Sequence, residues 1–219
     1  MTGHTDIVQQ GSNVVSIFDF QPERVFPSTT EVEAYWHKIR GNRMLPSRSD
    51  VDPRGIENSL EYAFILERIA PGLARFRLTG SHLTDLMGMD VRGMPMTSLF
   101  MPEARKDMGQ YIERLFDTPE IISLSLTAPD GFRRPALFAN MVLLPLKSDL
   151  GDVSRALGCL VSHGTVGRTP RRFEISDAQC TALSDRPVQR SAPAVERPQV
   201  QKPVRPVSGP KLTLLSFDT

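Results

Sequence analysis

The side chains of this sequence that could do chemistry are few and far apart. His82 and His163 could each ligate a metal or a haem iron through a ring nitrogen, but a lone histidine is more often a structural residue. Cys159 and Cys180 lack zinc spacing, and we interpret Cys159, in an apolar run, as a small core residue with a reduced thiol. The sequence therefore predicts no metal centre.

A polar loop with the letters NRMLPSRSDVDPRGIENSL is the other concentration of ligand-like side chains. Arg43, Arg48, Asp50 and Asp52 could form an anion or metal site, yet two aspartates alone make a weak metal signal. Asp52 followed by Pro53 is typical of a helix N-cap and first helical residue. We therefore interpret this stretch as a structural loop held by salt bridges, from which a short helix begins.

Motifs of catalysis do not occur in the sequence. There is no Gly-x-Ser-x-Gly, no phosphate-binding glycine loop, no His-Glu-x-x-His and no pair of carboxylates in an apolar setting. We therefore expect a protein that is not an enzyme.

Composition sets the broad class of protein. With 219 residues, 40% hydrophobic content and a net charge of +1, the chain suits one globular domain with extensions and gives no global signal for nucleic acid or membrane surfaces. The N-terminus lacks a basic leader, and no segment reaches the roughly 18 to 20 apolar residues that cross a bilayer. We expect a soluble, cytoplasmic protein without membrane contact.

The elements that must position any site follow from a change of hydrophobic period around Gly80. Before it, Ala74, Phe76 and Leu78 alternate with polar residues, which predicts a half-buried strand. After it, apolar residues recur at helical spacing, with Ser81 as the expected N-cap and a glycine seven residues later as the terminator. A strand therefore passes abruptly into a short helix.

The flanking segments complete a fold of mixed type. Residues 61–69 and the strand before Gly80 predict a hairpin, and a helix begins at Pro102 and ends near Phe116. Three further strands, over about 122–128, 134–146 and 156–163, should be sequential antiparallel neighbours. The fold class is therefore α+β, with an antiparallel sheet and its helices on one face.

An amphipathic helix precedes this core. Ser28 and Glu31 fit a capping box, and the helix ends at Arg40 before a glycine. Its apolar stripe must be covered either by the chain's own domain or by a second copy, which would make a homodimer. The candidate interface residues on the stripe are Val32, Trp36 and Ile39.

The C-terminal part has a different composition. From Gly164 to residue 210 the chain is rich in proline and poor in apolar residues, which predicts a disordered linker. Arg168, Arg171 and Arg172 belong to a basic excess there that could give weak nucleic-acid association, although dispersed charges favour a solvated linker. Lys211–Thr219 forms an apolar peptide that could add a strand to a sheet edge of a partner or dock on its own domain. Its candidate interface residues are Leu212, Leu214, Leu215 and Phe217.

Together these segments divide the chain into five parts. They are a flexible arm over 1–27, the helix and polar loop over 28–60, the core over 61–163, the linker over 164–210 and the terminal peptide over 211–219.

The order of the core elements resembles that of the PAS family, whose domains fold a five-stranded antiparallel sheet around a small cavity. Longer motifs make the chain similar to single-PAS proteins of alphaproteobacteria formerly classed as a domain of unknown function: Trp36–Arg40, LPSRSDVDP from Leu45, RFRLTGSHL from Arg75 and KLTLLSFD from Lys211. The residues that carry the PAS likeness are Leu78, Thr79, Gly80, Ser81, Leu83, Leu86, Met87, Gly88 and Gly93.

The resemblance implies a sensory or regulatory module that binds a small ligand or a signalling protein partner, or else an adaptor without a ligand. The cofactor is unknown: the flavin-adduct cysteine motif does not occur, and the long helix has no histidine, which argues against haem. If there is a ligand, Asn140 is the polar group that we expect to point inward towards it; otherwise it faces solvent at the sheet edge. The candidate pocket residues are Phe76, Leu78, Met94, Met108, Ile112, Leu124, Phe138 and Asn140.

Overall fold

The structure, a computed structural model, describes residues 27–183 and is α+β. A six-stranded antiparallel sheet has the strand order β2-β1-β5-β4-β3-β6. The predictions for the N-terminal arm and for the apolar C-terminal peptide lie outside the described residues. The strands are β1 Ala63–Ala70, β2 Leu73–Thr79, β3 Glu120–Ala128, β4 Leu137–Lys147, β5 Val153–His163 and β6 Glu174–Ala182, and the α-helices are α1 Pro27–Arg40, α2 Ser81–Met87 and α3 Arg105–Asp117.

The predicted order of elements is confirmed. β1 and β2 form a hairpin, α2 and α3 follow, and β3, β4 and β5 are sequential antiparallel neighbours. A 3-10 turn at Pro102–Ala104 leads directly into α3, as the proline predicted.

The passage from β2 to α2 depends on two glycines. A Cβ on Gly80 would lie 2.2 Å from the Glu61 carbonyl oxygen, so a side chain does not fit there. Gly88 ends α2 with φ of 71°, the left-handed conformation that glycine adopts without strain. The expected N-cap is wrong: Gly80 occupies that position, and Ser81 is the first helical residue.

A sixth strand corrects the prediction of disorder from Gly164 onward. Residues 164–173 run back across the core, and β6 then pairs with β3 in antiparallel register. The prediction of a five-stranded sheet is therefore one strand short. The pattern concealed β6 because this edge strand is exposed or half-exposed along its whole length and shows no clean alternation.

Helices cover both faces of the sheet, not one. Met141 and Leu143 on β4 pack with α2 and α3, whereas Val142 and Leu144 pack with α1. Burial on both faces explains why β4 is apolar along most of its length, since such a strand has no side that faces water.

The helix α1 is fixed to the opposite face of the sheet by specific contacts. The indole N–H of Trp36 donates a 3.0 Å hydrogen bond to the Pro145 carbonyl. The predicted capping box is wrong, because α1 begins at Pro27 and Ser28 lies inside it. The Glu31 carboxylate accepts hydrogen bonds from Asn58 and Ser59 of a 3-10 helix over Pro53–Ser59. The prediction that Asp52 caps this 3-10 helix is confirmed, since its carboxylate accepts a hydrogen bond from the amide two residues on.

Candidate functional site

The structure brings five of the eight predicted pocket residues together inside the core. Phe76, Met108, Ile112 and Leu124 are at most 2% exposed and belong to one cluster between the sheet and the helices α2 and α3. Met94 is half-buried and packs against the same cluster. These side chains therefore lie together in the part of the core where the resemblance implies a ligand.

Leu78 does not join this cluster, and its side chain is 52% exposed. The cause is a register shift between β1 and β2: Ile65 pairs with Leu78, but the next residue, Leu66, pairs with Phe76. Two residues of β2 therefore oppose one of β1, and the alternation that placed Leu78 beside Phe76 breaks at this bulge.

Phe138 and Asn140 also lie away from the predicted pocket. On β4 they alternate with Leu137, Ala139 and Met141, which all belong to the inner core cluster. The half-buried Asn140 therefore lies on the face of the sheet that carries α1, and its expected inward orientation is wrong.

The apolar stripe of α1 is covered by the chain itself. Val32 and Trp36 are fully buried in a cluster with β4 and β5, and Ile39 packs against this cluster while staying half-buried. Packing within one chain was the alternative to dimerisation, and here it covers the Trp36 face of α1. The other candidate interface residues, Leu212, Leu214, Leu215 and Phe217, lie outside the described residues.

His82 has a structural role between α2 and β5. The Ser162 amide N–H donates a 3.2 Å hydrogen bond to Nε2 of the imidazole, and the Ser162 hydroxyl lies 3.0 Å from the same atom. Burial lowers the pKa of His82, against the opposing charges of Asp85 and Glu61, which favours the neutral ring. A nitrogen that accepts this bond is not free to ligate a metal. His163 is exposed at the end of β5.

Cys159 is a core residue, as predicted, and packs in the cluster beneath α1. Burial raises the pKa of its thiol to about 12. Cys180, expected in a disordered linker, lies half-buried on β6, and its pKa is also raised by burial. Within residues 27–183, no three histidine, cysteine, aspartate or glutamate side chains converge as a metal site would require.

Most charged clusters on the domain are internally paired. Arg43 forms a 2.8 Å ion pair with Asp50, as the structural interpretation of that loop expected. Glu67, with its side chain 14% exposed, pairs with Arg75 and Arg155 at 2.7 Å and with Arg77 at 3.4 Å. A cavity of about 470 Å³ beside Leu78 is lined by two of these arginines, so part of its charge is already neutralised.

A second cavity differs in this respect. It has a volume of about 410 Å³ and lies between the β3–β4 turn and the segment 164–173. We call it the arginine cavity, because it holds four arginines against one carboxylate. Its lining residues are Met101, Pro129, Asp130, Gly131, Phe132, Arg134, Arg168, Pro170, Arg171 and Arg172.

The β3–β4 turn forms one wall of the arginine cavity. Gly131 and Arg134 exchange backbone hydrogen bonds of 2.8 and 2.9 Å, so the residues at the tip of the turn are Phe132 and Arg133. The tip of the turn therefore follows directly after Asp130 and Gly131. The amide of Arg168 donates a 2.8 Å hydrogen bond to the Arg133 carbonyl, which ties the segment 164–173 to the turn.

Arg171 forms the floor of the arginine cavity and is only 1% exposed. Its guanidinium donates hydrogen bonds to the carbonyl oxygens of Val166 and Pro135, the latter at 2.7 Å, with longer contacts to those of Ala128 and Pro129. Its amide donates to the Leu86 carbonyl at the end of α2. The nucleic-acid hypothesis counted Arg171 among solvated bases, and its burial corrects that count.

Positive charge in the arginine cavity has no full counterion within residues 27–183. Arg134, Arg168, Arg171 and Arg172 form no ion pair with a described carboxylate. Burial and then the charge of Arg134 lower the pKa of Arg171, so the two guanidinium groups repel each other. The Nε of Arg134 is itself buried and has no hydrogen-bond partner among the described residues.

Sequence reasoning missed this site. Its arginines were assigned to a linker because prolines surround them, and the signal that could have found them is Phe173, a large apolar residue beside a dense basic run. Phe173 is fully buried. Its amide donates a 2.9 Å hydrogen bond to the Leu99 carbonyl, and its carbonyl accepts one of 2.9 Å from the Met101 amide.

Comparison with known families agrees with this architecture. A family model described as a PAS domain matches residues 24–161, more than half of the 219-residue chain. The chain therefore belongs to the PAS domain family, as the strand-to-helix motif indicated. A search of curated proteins found no match. No helix in residues 27–183 is long and apolar enough to span a membrane.

Proposed function

We propose that the chain is a non-catalytic regulatory module of the PAS family that binds a small ligand in the arginine cavity and thereby alters its contact with a signalling protein. The observation that carries this proposal is the cavity itself, an open volume with unpaired cationic side chains at the surface of a PAS core. Ligand sites commonly combine such a volume with a few polar groups.

The cavity is placed to transmit a binding event. The segment 164–173, which carries the floor residue Arg171, is hydrogen-bonded through Arg171 to the Leu86 carbonyl of α2 and through Phe173 to the Leu99 carbonyl. It continues directly into β6. A ligand that repositions this segment would move both the end of α2 and an exposed edge strand. Edge strands offer free backbone groups to a partner.

The absence of catalysis is part of the proposal. The cavity lining offers arginines, one aspartate and apolar residues, with no serine, cysteine or histidine as a nucleophile or base. A broad hydrolase and transferase screen should give no saturable turnover, and turnover that Arg134→Gln abolishes would contradict the proposal.

Native mass spectrometry of the full chain purified from its own host tests ligand binding. We expect a small molecule retained by the wild type and lost from the double variant Arg134→Gln/Arg168→Gln. Arg54→Gln removes the same type of charge from an exposed position of the 3-10 helix that packs on α1, away from the cavity lining, and is the matched control. Pull-downs with these proteins should recover a different amount of partner when the ligand is lost. An empty wild type with unchanged partner recovery in the double variant would contradict the proposal.

An adaptor that binds a partner without any ligand is the second candidate. The exposed edge strand β6 favours it, because that strand pairs on one side only within the described sheet. Deleting Lys211–Thr219, the peptide suited to strand addition, should abolish partner recovery if this peptide makes the contact, and unchanged recovery would exclude that role. The same native spectra report whether the chain is a homodimer.

A further inference from the structure

We propose that the arginine cavity recognises an oxyanion, a carboxylate or a phosphate monoester carried on a small apolar body. This inference rests on the proposed function and adds the chemical class of the ligand. Three features of the cavity support it: its charge, the different roles of its arginines and its apolar walls.

The charge argument is the strongest. Four arginines face one aspartate around the cavity, which leaves a local excess of three positive charges in a chain whose net charge is +1. Like charges brought together in a partly dry site repel, and an anion bound among them relieves that repulsion. Elsewhere on the domain Glu67 forms ion pairs with three arginines, whereas the four arginines of this cavity form none with a described carboxylate.

The hydrogen bonds divide the arginines by role. Arg171 is held by backbone carbonyls, and so it supplies a fixed positive charge. Arg134 is half-buried in the lining and forms no ion pair with a described carboxylate, so its charge there is not neutralised. Arg168 and Arg172 are exposed, so their side chains can close over a ligand. Guanidinium groups bind carboxylate and phosphate oxygens in a bidentate manner, which suits this arrangement.

The remaining walls indicate what carries the anion. Met101, Pro129 and Pro170 present apolar surface, and the Phe132 ring at the tip of the turn is 78% exposed. A bare inorganic ion would leave these walls in contact with water. A volume of about 410 Å³ accommodates an organic body of a few rings or a short chain.

Ligand-observed NMR on the full chain, with calorimetry where affinity permits, tests the class. The probes are phenyl phosphate, benzoate and the uncharged benzyl alcohol, each titrated up to about 10 mM at low salt. We expect saturable binding of at least one anion, weakened by added NaCl because exposed charges are screened, and no saturable binding of benzyl alcohol. The anion that binds with the lower dissociation constant indicates whether the ligand carries a phosphate or a carboxylate.

Variants test whether the arginine cavity is responsible. Arg134→Gln and Arg168→Gln should each weaken anion binding about tenfold, because a charge-assisted bond is lost. Arg172→Gln, at an exposed position, should weaken it in the same direction, and it keeps the test valid if the partly buried Arg134 is needed for folding. Arg54→Gln should change affinity less than about twofold, since its exposed charge lies beside α1 and away from the cavity lining.

Two results would overturn the oxyanion proposal: saturable binding of neither anion, or an equal loss of affinity in Arg54→Gln and in the cavity variants. Its failure can be distinguished from failure of the proposed function. If an anion binds through these arginines but partner recovery never responds, the oxyanion site stands and regulation fails. If neither anion binds while the native protein retains an uncharged ligand that controls partner recovery, regulation stands and the oxyanion class fails.

Discussion

Replacing Trp36 by alanine should remove a large part of the stability of the domain. The side chain is fully buried between α1 and the sheet, and its N–H satisfies the Pro145 carbonyl. Truncating a buried aromatic costs about 3–5 kcal/mol, and the orphaned carbonyl places this variant near the upper end. Because domains of this size are stable by about 5–15 kcal/mol, the loss is a third of the total or more.

Urea unfolding followed by circular dichroism measures this loss without requiring a tryptophan signal. Trp36→Phe keeps an aromatic ring but removes the donor, so we expect a smaller loss of about 1–3 kcal/mol. Lys38→Ala, at an exposed position of the same helix, should stay within about 0.5 kcal/mol. A loss below about 1 kcal/mol in Trp36→Ala, together with a shift from dimer to monomer on gel filtration, would refute the packing argument and favour a helix that dimerises.

Three further predictions concern charge, space and thiol reactivity. Burial raises the pKa of Glu67, but its three arginine partners outweigh this and hold the pKa below its usual value. This carboxylate therefore stabilises the fold above its unfolded-state pKa, and that contribution is lost as pH falls through the lower folded-state pKa. The difference in free energy of unfolding between wild type and Glu67→Gln should therefore shrink as the solution is acidified. Gly158→Ala should lower the melting temperature, because a Cβ there would lie 2.1 Å from a phenylalanine ring, whereas Gly109→Ala, with its nearest contact at 3.5 Å, should raise it through better helix propensity. In native protein at pH 8, a thiol reagent should modify Cys180 well before Cys159, because only the latter is fully buried.

Each of these three outcomes has a contrary result. A stability gap that stays constant across the acid limb would show that Glu67 has the same pKa folded and unfolded. Equal melting temperatures for the two glycine variants would contradict the close approach at Gly158. Reaction of both thiols at one rate before unfolding would contradict the burial of Cys159.

Periodicity predicted the elements whose burial is one-sided. The helix α3 and the strand β3 have clean amphipathic patterns, and both occur where the sequence placed them. The passage around Gly80 was predictable for another reason, since only glycine fits the close backbone approach there.

Errors arose where tertiary contacts override the local pattern. Leu78 follows its strand's alternation in sequence, but a bulge in the pairing with β1 turns it outward. Asn140 lies in a run that is apolar on both faces. Which face its side chain takes depends on whether it alternates with one set of neighbours or the other, and an apolar run without alternation does not indicate this. Arg171 was assigned to solvent because an arginine among prolines normally lies there, and its cage of carbonyls forms only when the β3–β4 turn and the segment 164–173 meet.

The sixth strand has a consequence for where this domain can be cut. The family match stops at residue 161, and a chain shortened to His163 would lose β6 and the Arg171 floor together. It would also uncover the edge of β3, on which Ile121, Ile122 and Leu124 are buried in the intact protein. A long apolar edge strand is a template for pairing with other chains. The polar strand β6 therefore covers this edge, and we expect a chain shortened to His163 to aggregate more readily than one that extends to Leu183.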